Sequence, residues 1–247
     1  VIAGGILHKP KVPGIPGIEK FKGRMFHTSR WDYDYTGGGP REFMDKLGDK
    51  RVGIIGTGAT AIQAVPKLAE AAGDLFVFQR TPSAVGVRNN GKTDEKWFKS
   101  LKPGWQQERI VNFTKAVTGE MPEVDLVGDG WTDVMWRNTQ AAVESPEHLA
   151  EMELSDFKTM EKLRRRVDTI IEDPETAAKL KAYYGKNCKR VCFHDDYLPS
   201  FNKPNVHLVD SDGKGIERAQ AILAQHPDLY LVSTGNNTIG ASTHHLG

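Results

Sequence analysis

Apolar residues are unevenly spread along the chain, and their spacing changes character several times. Arg51–Ile55 (R-V-G-I-I) is a short apolar run. Residues 58–72 then place Ile62, Val65 and Leu68 at helical spacing, with alanines at the remaining close-packed positions. Residues 75–79 (L-F-V-F-Q) form a second apolar run. Short unbroken runs read as buried strands and the 3.6-residue period as a helix. Strand, helix and strand at this length predict a βαβ unit with a right-handed parallel crossover. Pro66, inside the helical stretch, predicts a kink or local strain there.

The flanking segments differ. Residues 6–20 carry Pro10, Pro13 and Pro16 among Gly and Lys and read as a surface connection. Residues 21–50, including the Gly-rich stretch 37–40, read as a linker. From 93 to 184 the pattern is helical. Ser145-Pro146 and Asp173-Pro174 are cap-plus-first-turn signals. Ser155 is expected to cap a helix with Phe157, Met160, Leu163, Val167 and Ile170 on its apolar face. Strand patterns return at 206–209 and Leu229–Ser233. No internal repeat or low-complexity tract interrupts the chain.

The residues between the first strand and its helix are G-T-G-A-T-A, which fits G-x-G-x-x-A. Gly56 permits a tight turn out of the strand. Gly58 permits close approach of a pyrophosphate, and Ala61 lets helix and strand pack closely. Backbone N–H groups and the positive end of the helix dipole then meet the phosphates. The strand before and the helix and strand after supply the context that this motif requires. The fold class expected is therefore α/β, a Rossmann-type doubly wound parallel sheet with a helical insertion. Thr57, Ala59, Thr60 and Gln63 complete the loop and first helical turn. An NAD site places Asp or Glu about 20 residues on, for the ribose 2′-hydroxyl. Here the second strand ends in Gln79-Arg80-Thr81. A guanidinium grips a 2′-phosphate through charge-assisted hydrogen bonds, and a carboxylate would repel it. Arg80 and Thr81 therefore predict preference for NADP(H).

Composition changes this picture little. With 33 Lys and Arg against 32 Asp and Glu, the net charge of +1 gives no electrostatic case for nucleic acid or an acidic membrane. The basic run 162–166 reads as a solvated helix face. No run of ~18 apolar residues is present to span a membrane. Cys188 and Cys192 are spaced as neither a zinc ribbon nor a disulfide framework. Two thiols without a signal peptide lead to the expectation of a reducing cytoplasm. His194, Asp195 and Asp196 are adjacent and cannot converge on a metal from one strand. His244-His245 lacks partner spacing, so no metal site is expected.

Two further stretches carry a family likeness. F-K-G-R-M-F-H-T-S-R-W-D at 21–32 matches F-x-G-x-x-x-H-x-x-x-W-[P/D], with Phe21, Gly23, His27, Trp31 and Asp32 at the fixed positions. Residues 187–210 hold a Lys-Arg pair followed by Tyr, Phe-Asn and Asn-Val, and F-Q-R-T-P and V-R-N (87–89) are also typical. Together these resemble the flavin-dependent Baeyer–Villiger monooxygenases over residues 1 to about 218. Ala3-Gly4-Gly5 and Ser233-Thr234-Gly235 resemble the family's two hinges between an FAD domain and an inserted NADP domain. The resemblance implies a hinge and linker carrying the signature at 1–50, an NADP-binding Rossmann domain at 51–92 and 185–235, a helical insertion at 93–184, and a return at 236–247 towards an FAD domain of the same parent protein. The FAD loop G-x-G-x-x-G does not occur in this sequence, so the FAD site is expected mostly outside it and the chain alone is expected to be inactive.

The resemblance also implies a chemistry. NADPH reduces FAD, the reduced flavin traps O2, and the resulting peroxide converts a ketone into an ester or lactone. Arg190 would hold negative charge on the peroxide and the tetrahedral adduct as the catalytic arginine. Lys189 would join Arg80 and Thr81 at the 2′-phosphate. His27 is read as fixing a linker through a hydrogen bond rather than as a base, and Phe21 and Trp31 as packing anchors. A stand-alone NADP-binding or redox-sensing module is the main alternative. An N-hydroxylase or disulfide reductase fits less well, because of the signature and the absence of C-x4-C or C-x2-C.

Overall fold

The computed structural model describes residue 10 and residues 14–118, 120, 122–136, 146–186, 188, 189, 191–214 and 229–233. It separates into two compact units: residues 1–82, 171–179 and 196–247 form the first, and 83–170 with 180–195 the second. These divisions differ from the pattern-based ones, because 83–92 and 185–195 join the helices of the second unit and 171–179 returns to the first.

The first unit is built on a parallel five-stranded sheet. Its strands are β1 (Met25–His27), β2 (Arg51–Ile55), β3 (Asp74–Gln79), β6 (Val206–Asp210) and β7 (Leu229–Ser233), in the order β1-β7-β2-β3-β6. From β2 the chain steps through β3 to β6 on one side, and β7 lies on the other side of β2. The direction of winding therefore reverses at β2, which is where open α/β sheets place their ligand crevice. Helix α2 (Ala59–Ala71) crosses from β2 to β3 and packs against both. Ile62, Val65 and Leu68 are fully buried, as their spacing predicts, and Ala61 is too. On β3, Leu75 and Val77 share one face and Phe76 and Phe78 the other. The two phenylalanines gather Ile18, Phe21, Met25, Ile55 and Val209.

One expectation is corrected in this unit. Residues 25–27 do not form part of a linker: they are an edge strand in parallel register with β7, Phe26 opposite Val232. Pro66 lies buried inside α2, which runs on to Ala71. Helix α1 (Tyr33–Thr36) follows directly on the signature, capped by Asp32, whose carboxylate accepts the Tyr35 N–H at 3.1 Å. Two further helices complete the described part of this unit. In α7 (Pro174–Leu180) Pro174 opens the helix, and the Asp173 carboxylate accepts the Thr176 N–H at 2.8 Å. The short α8 (Tyr197–Ser200) packs on α2.

The second unit holds α3 (Glu95–Ser100), α4 (Trp105–Thr118), α5 (Gly130–Trp136) and α6 (Pro146–Ile170), with a two-residue parallel ladder between β4 (Val85–Gly86) and β5 (Cys192–Phe193). Pro146 occupies the first turn of α6. Ser155 does not cap a helix; it lies inside α6, which is continuous over 25 residues. Met160, Leu163 and Val167 are buried, while Phe157 is 58% exposed, so the apolar face starts a turn later than the pattern implies. The core gathers Ala84, Met160, Leu163, Ala182 and Val191 with Tyr184 and Phe193. The Phe193 ring lies where a Cβ on Gly86 or Gly130 would fall, at 2.8 and 2.6 Å, so both positions require glycine. Burial of Tyr184 pushes its phenol up to about 12, against the lowering effect of the Ala84 N–H it accepts.

Asp195 is a structural carboxylate here. Its oxygens accept the N–H groups of Arg88, Asn89 and Asn90 at 2.9, 3.2 and 3.1 Å, which holds Asn89 at φ 52°. Burial raises its pKa, but these three bonds and the charge of Arg166 outweigh it and hold the carboxyl below the usual range. A depressed carboxylate pKa stabilises the fold above the unfolded-state value and loses that contribution as pH falls through the folded value. Asp195→Ala is expected to cost about 1–3 kcal/mol at pH 7. Its stability deficit should close on acidification below about pH 4, as denaturant melts at each pH would show.

Candidate functional site

The turn between β2 and α2 forms as its glycines predict. Gly56 has φ 108°, a conformation closed to ordinary L residues, and its N–H bonds the Phe78 carbonyl at 3.0 Å. Gly58 is the N-cap of α2 at φ −75° and ψ −175°, with no side-chain cap. A Cβ placed on Gly58 would meet nothing within 4 Å. The first bond of the helix is Ile62 N–H to the Gly58 carbonyl at 3.0 Å, so the amides before it have no acceptor within the helix. Open space thus lies over a set of N–H donors at the positive end of a 13-residue helix. This is the arrangement that receives a pyrophosphate.

Residues 78–81 end β3 beside that turn. Arg80 is exposed, and its guanidinium makes no hydrogen bond or ion pair among the described residues. Its carbonyl accepts the Gly213 N–H at 3.0 Å. Gln79 is buried, and its amide donates to the Lys179 carbonyl near the end of α7 at 2.8 Å. Pattern reading missed this anchor, because a glutamine closing a strand looks like a surface residue. The Thr57 side chain is buried, and its hydroxyl donates to the Thr81 carbonyl at 2.8 Å. The exposed Gln63 amide turns back to the Ala59 carbonyl at 3.0 Å. Ala59 is exposed and Thr60 half-buried at the helix start.

The signature residues form a compact corner of the same unit. The His27 ring is buried, and its Nδ1 accepts the Ser29 N–H at 3.1 Å and lies 2.8 Å from Ser29 Oγ. Nδ1 thus serves as an acceptor that caps the 3-10 turn Thr28–Arg30. Trp31 Nε1 donates to Thr36 Oγ1 at 3.1 Å, and its ring meets Phe26 edge-on at 5.4 Å between centroids. Arg24 pairs with Asp32 through Nε at 2.7 Å. That hydrogen bond holds the Asp32 carboxyl below its ordinary value. Phe21 packs on Phe76 and Phe78, and Gly23 is half-buried.

Lys189 belongs to the second unit, exposed, with its ammonium 5.1 Å from the centre of the Tyr184 ring. Arg190, the hinge-like residues Ala3-Gly4-Gly5 and Thr234-Gly235, and His244-His245 lie outside the described residues. Among the described residues, no group of three or more His, Cys, Asp or Glu side chains could hold a metal ion. No described helix is long and apolar enough to cross a membrane. Two other concavities occur. One of about 560 Å³ in the second unit is lined by Arg88, Asp125, Asp129 and Asp133, and one of about 460 Å³ by Arg24, Arg30, Trp31 and Asp34. Neither is at the glycine turn. Their charged groups are largely engaged locally: Arg88 pairs with Asp129 at 2.8 Å, and Asp125 takes the Thr132 hydroxyl at 2.5 Å.

Comparison with known proteins finds similar sequences and structures. A Baeyer–Villiger monooxygenase from Stachybotrys chlorohalonatus is 53% identical over 248 residues, covering 95% of this chain and 40% of that protein. Neopentalenolactone D synthase from Streptomyces avermitilis is 54% identical over 223 residues, covering 88% of this chain and 38% of that protein. By sequence, the chain is similar to Baeyer–Villiger monooxygenases over nearly its whole length. The fold agrees with this similarity. The solved polycyclic ketone monooxygenase of the fungus Thermothelomyces thermophila superposes with a TM-score of 0.82 at 46% identity, over 94% of this chain and 40% of that one. OTEMO in complex with FAD and NADP matches with a TM-score of 0.65 at 27% identity, over 95% and 46% of the two chains. The chain spans about 40% of the length of the curated family members it matches. No protein-family model matches it.

Proposed function

We propose that this chain is the NADP(H)-binding part of a flavin-dependent Baeyer–Villiger monooxygenase, a protein that inserts one oxygen atom from O2 into a ketone to give an ester or lactone. The observation that carries the reading is the uncapped start of α2 at the reversal point of the sheet, open above Gly58, with the exposed Arg80 at the end of the adjacent strand. Its relatives are named for ketone-directed and Baeyer–Villiger oxygenation, and one structural relative is a complex with FAD and NADP.

These residues fit the nucleotide. The amides of Gly58, Ala59 and Thr60, which have no acceptor within the helix, would meet the pyrophosphate, and the buried Ala61 lets the helix pack close to β2. Arg80 supplies a permanent positive charge for a 2′-phosphate, and no carboxylate at the end of β3 competes for a ribose hydroxyl. When bound, NADPH supplies the hydride that begins the reaction. Flavin chemistry would belong to an FAD site in sequence beyond this chain, within the same parent protein. The family likeness gives Lys189 a phosphate contact and Arg190 the stabilisation of negative charge developing at the ketone. His27 and Trp31 keep the signature corner rigid rather than touching substrate.

The reading is tested by supplying FAD, NADPH and a ketone panel both to this chain and to the complete product of its reading frame. The chain should bind NADPH without oxygenating. The complete product should consume NADPH and release ester or lactone. Nucleotide binding without ester from the complete product would favour the alternative, a stand-alone NADP-binding or redox-sensing module.

A further inference from the structure

Thr57 is the second residue of the glycine turn, where a side chain is ordinarily counted among the groups facing the phosphates. The structure turns it the other way. Its side chain is buried, and its hydroxyl donates to the Thr81 carbonyl at 2.8 Å. One residue earlier, the Gly56 N–H holds the Phe78 carbonyl at 3.0 Å. Two successive residues of the glycine turn therefore grip the two ends of the stretch 78–81. Between these grips the backbone is held from its other side: Ser211 N–H and Oγ both donate to the Gln79 carbonyl at 2.9 Å, and Gly213 N–H to the Arg80 carbonyl at 3.0 Å. The buried Gln79 amide adds the bond to Lys179. Of residues 78–81, Arg80 alone is exposed.

We propose that Thr57 is a positioning residue for nucleotide choice: its hydroxyl, by holding Thr81, fixes where Arg80 presents its guanidinium relative to the helix start that carries the pyrophosphate. The inference rests on the NADP(H) reading above and deepens it. A guanidinium grips a phosphate through directional paired bonds, so a loosened backbone at 80–81 weakens that grip. The pyrophosphate rests on amides set by α2 itself and by the Gly56–Phe78 bond, neither of which needs the hydroxyl. Loss of the hydroxyl therefore acts on the nucleotide that bears a 2′-phosphate and spares the one that lacks it.

The test is calorimetric titration of the chain with NADP+ and with NAD+, for the unaltered protein, Thr57→Val and Thr57→Ser. Thr57→Val should weaken NADP+ on the order of tenfold while NAD+ stays within about twofold. Thr57→Ser, which keeps the hydroxyl, should restore the preference. If Thr57→Val does not fold, Thr57→Ala removes the same hydroxyl without branching and reads the same ratio. Equal losses for both nucleotides would reduce Thr57 to a merely structural role and overturn the inference, as would an unchanged preference. Failure of the unaltered chain to prefer NADP+ would overturn instead the nucleotide reading on which the inference stands.

Discussion

Replacing Arg80 by alanine is expected to abolish the preference for NADPH over NADH. The guanidinium has no hydrogen bond or ion pair among the described residues, so its removal leaves no group of this protein unsatisfied. The fold at the end of β3 is held by backbone carbonyls of Gln79, Arg80 and Thr81, none of which the substitution touches. Thermal stability should therefore stay within the ±0.5 kcal/mol typical of surface substitutions. A charge-assisted hydrogen bond contributes about 1.5–3 kcal/mol, so NADPH affinity should fall by about 10- to 100-fold. NADH affinity should not change, since NADH has nothing at the 2′ position for the guanidinium to hold. Parallel fluorescence titrations of the two reduced nucleotides read this directly. Arg80→Lys should recover only part of the loss, because an ammonium keeps the charge without the planar fork.

The two glycines of the turn are expected to fail in different ways. Gly58→Val should remove binding of NADPH and NADH together, by on the order of 100-fold or more, while the protein still folds. At φ −75° any residue is accommodated, and a Cβ there meets no protein atom within 4 Å. The cost to folding is the poorer helix cap, about 1 kcal/mol. The side chain instead fills the space that the pyrophosphate requires. Gly56→Val should do the reverse. At φ 108° a Cβ-bearing residue is strained by about 1–3 kcal/mol, so the loss is first one of stability. Melting temperature and nucleotide affinity measured side by side separate the two. A Gly58 variant that folds and still binds normally would remove the helix start from the site.

The glycine turn is legible in the sequence because its causes are local. Two apolar runs, a helical period and two glycines fix strand, turn and helix within about thirty residues, and Ala61 is buried as its place in the motif requires. The sheet edge is not legible. Met25–His27 has only three residues, one of them buried, and its partner strand is over 200 positions away, so no periodicity marks it. The same holds for the two-residue ladder β4–β5, which Phe193 pins against Gly86 and Gly130. Ser155 reads as a cap because serine favours helix starts, yet α6 passes through it; packing of Met160, Leu163 and Val167 decides the helix rather than local preference. Thr57 and Gln79 are the instructive site residues. A motif names the positions that meet a ligand, but the direction of a hydroxyl or a carboxamide depends on carbonyls 24 and 100 residues away.

NADP+ is expected to lie with its pyrophosphate on the start of α2 and its 2′-phosphate on Arg80. Amide chemical-shift mapping of the chain during addition of NADP+ tests it most directly. The largest shifts are expected at Gly56, Gly58, Ala59 and Thr60, with Arg80 and Thr81 moving for NADP+ but little for NAD+. Shifts confined to the acidic cleft around Asp125 and Asp129, or none at saturating nucleotide, would contradict it.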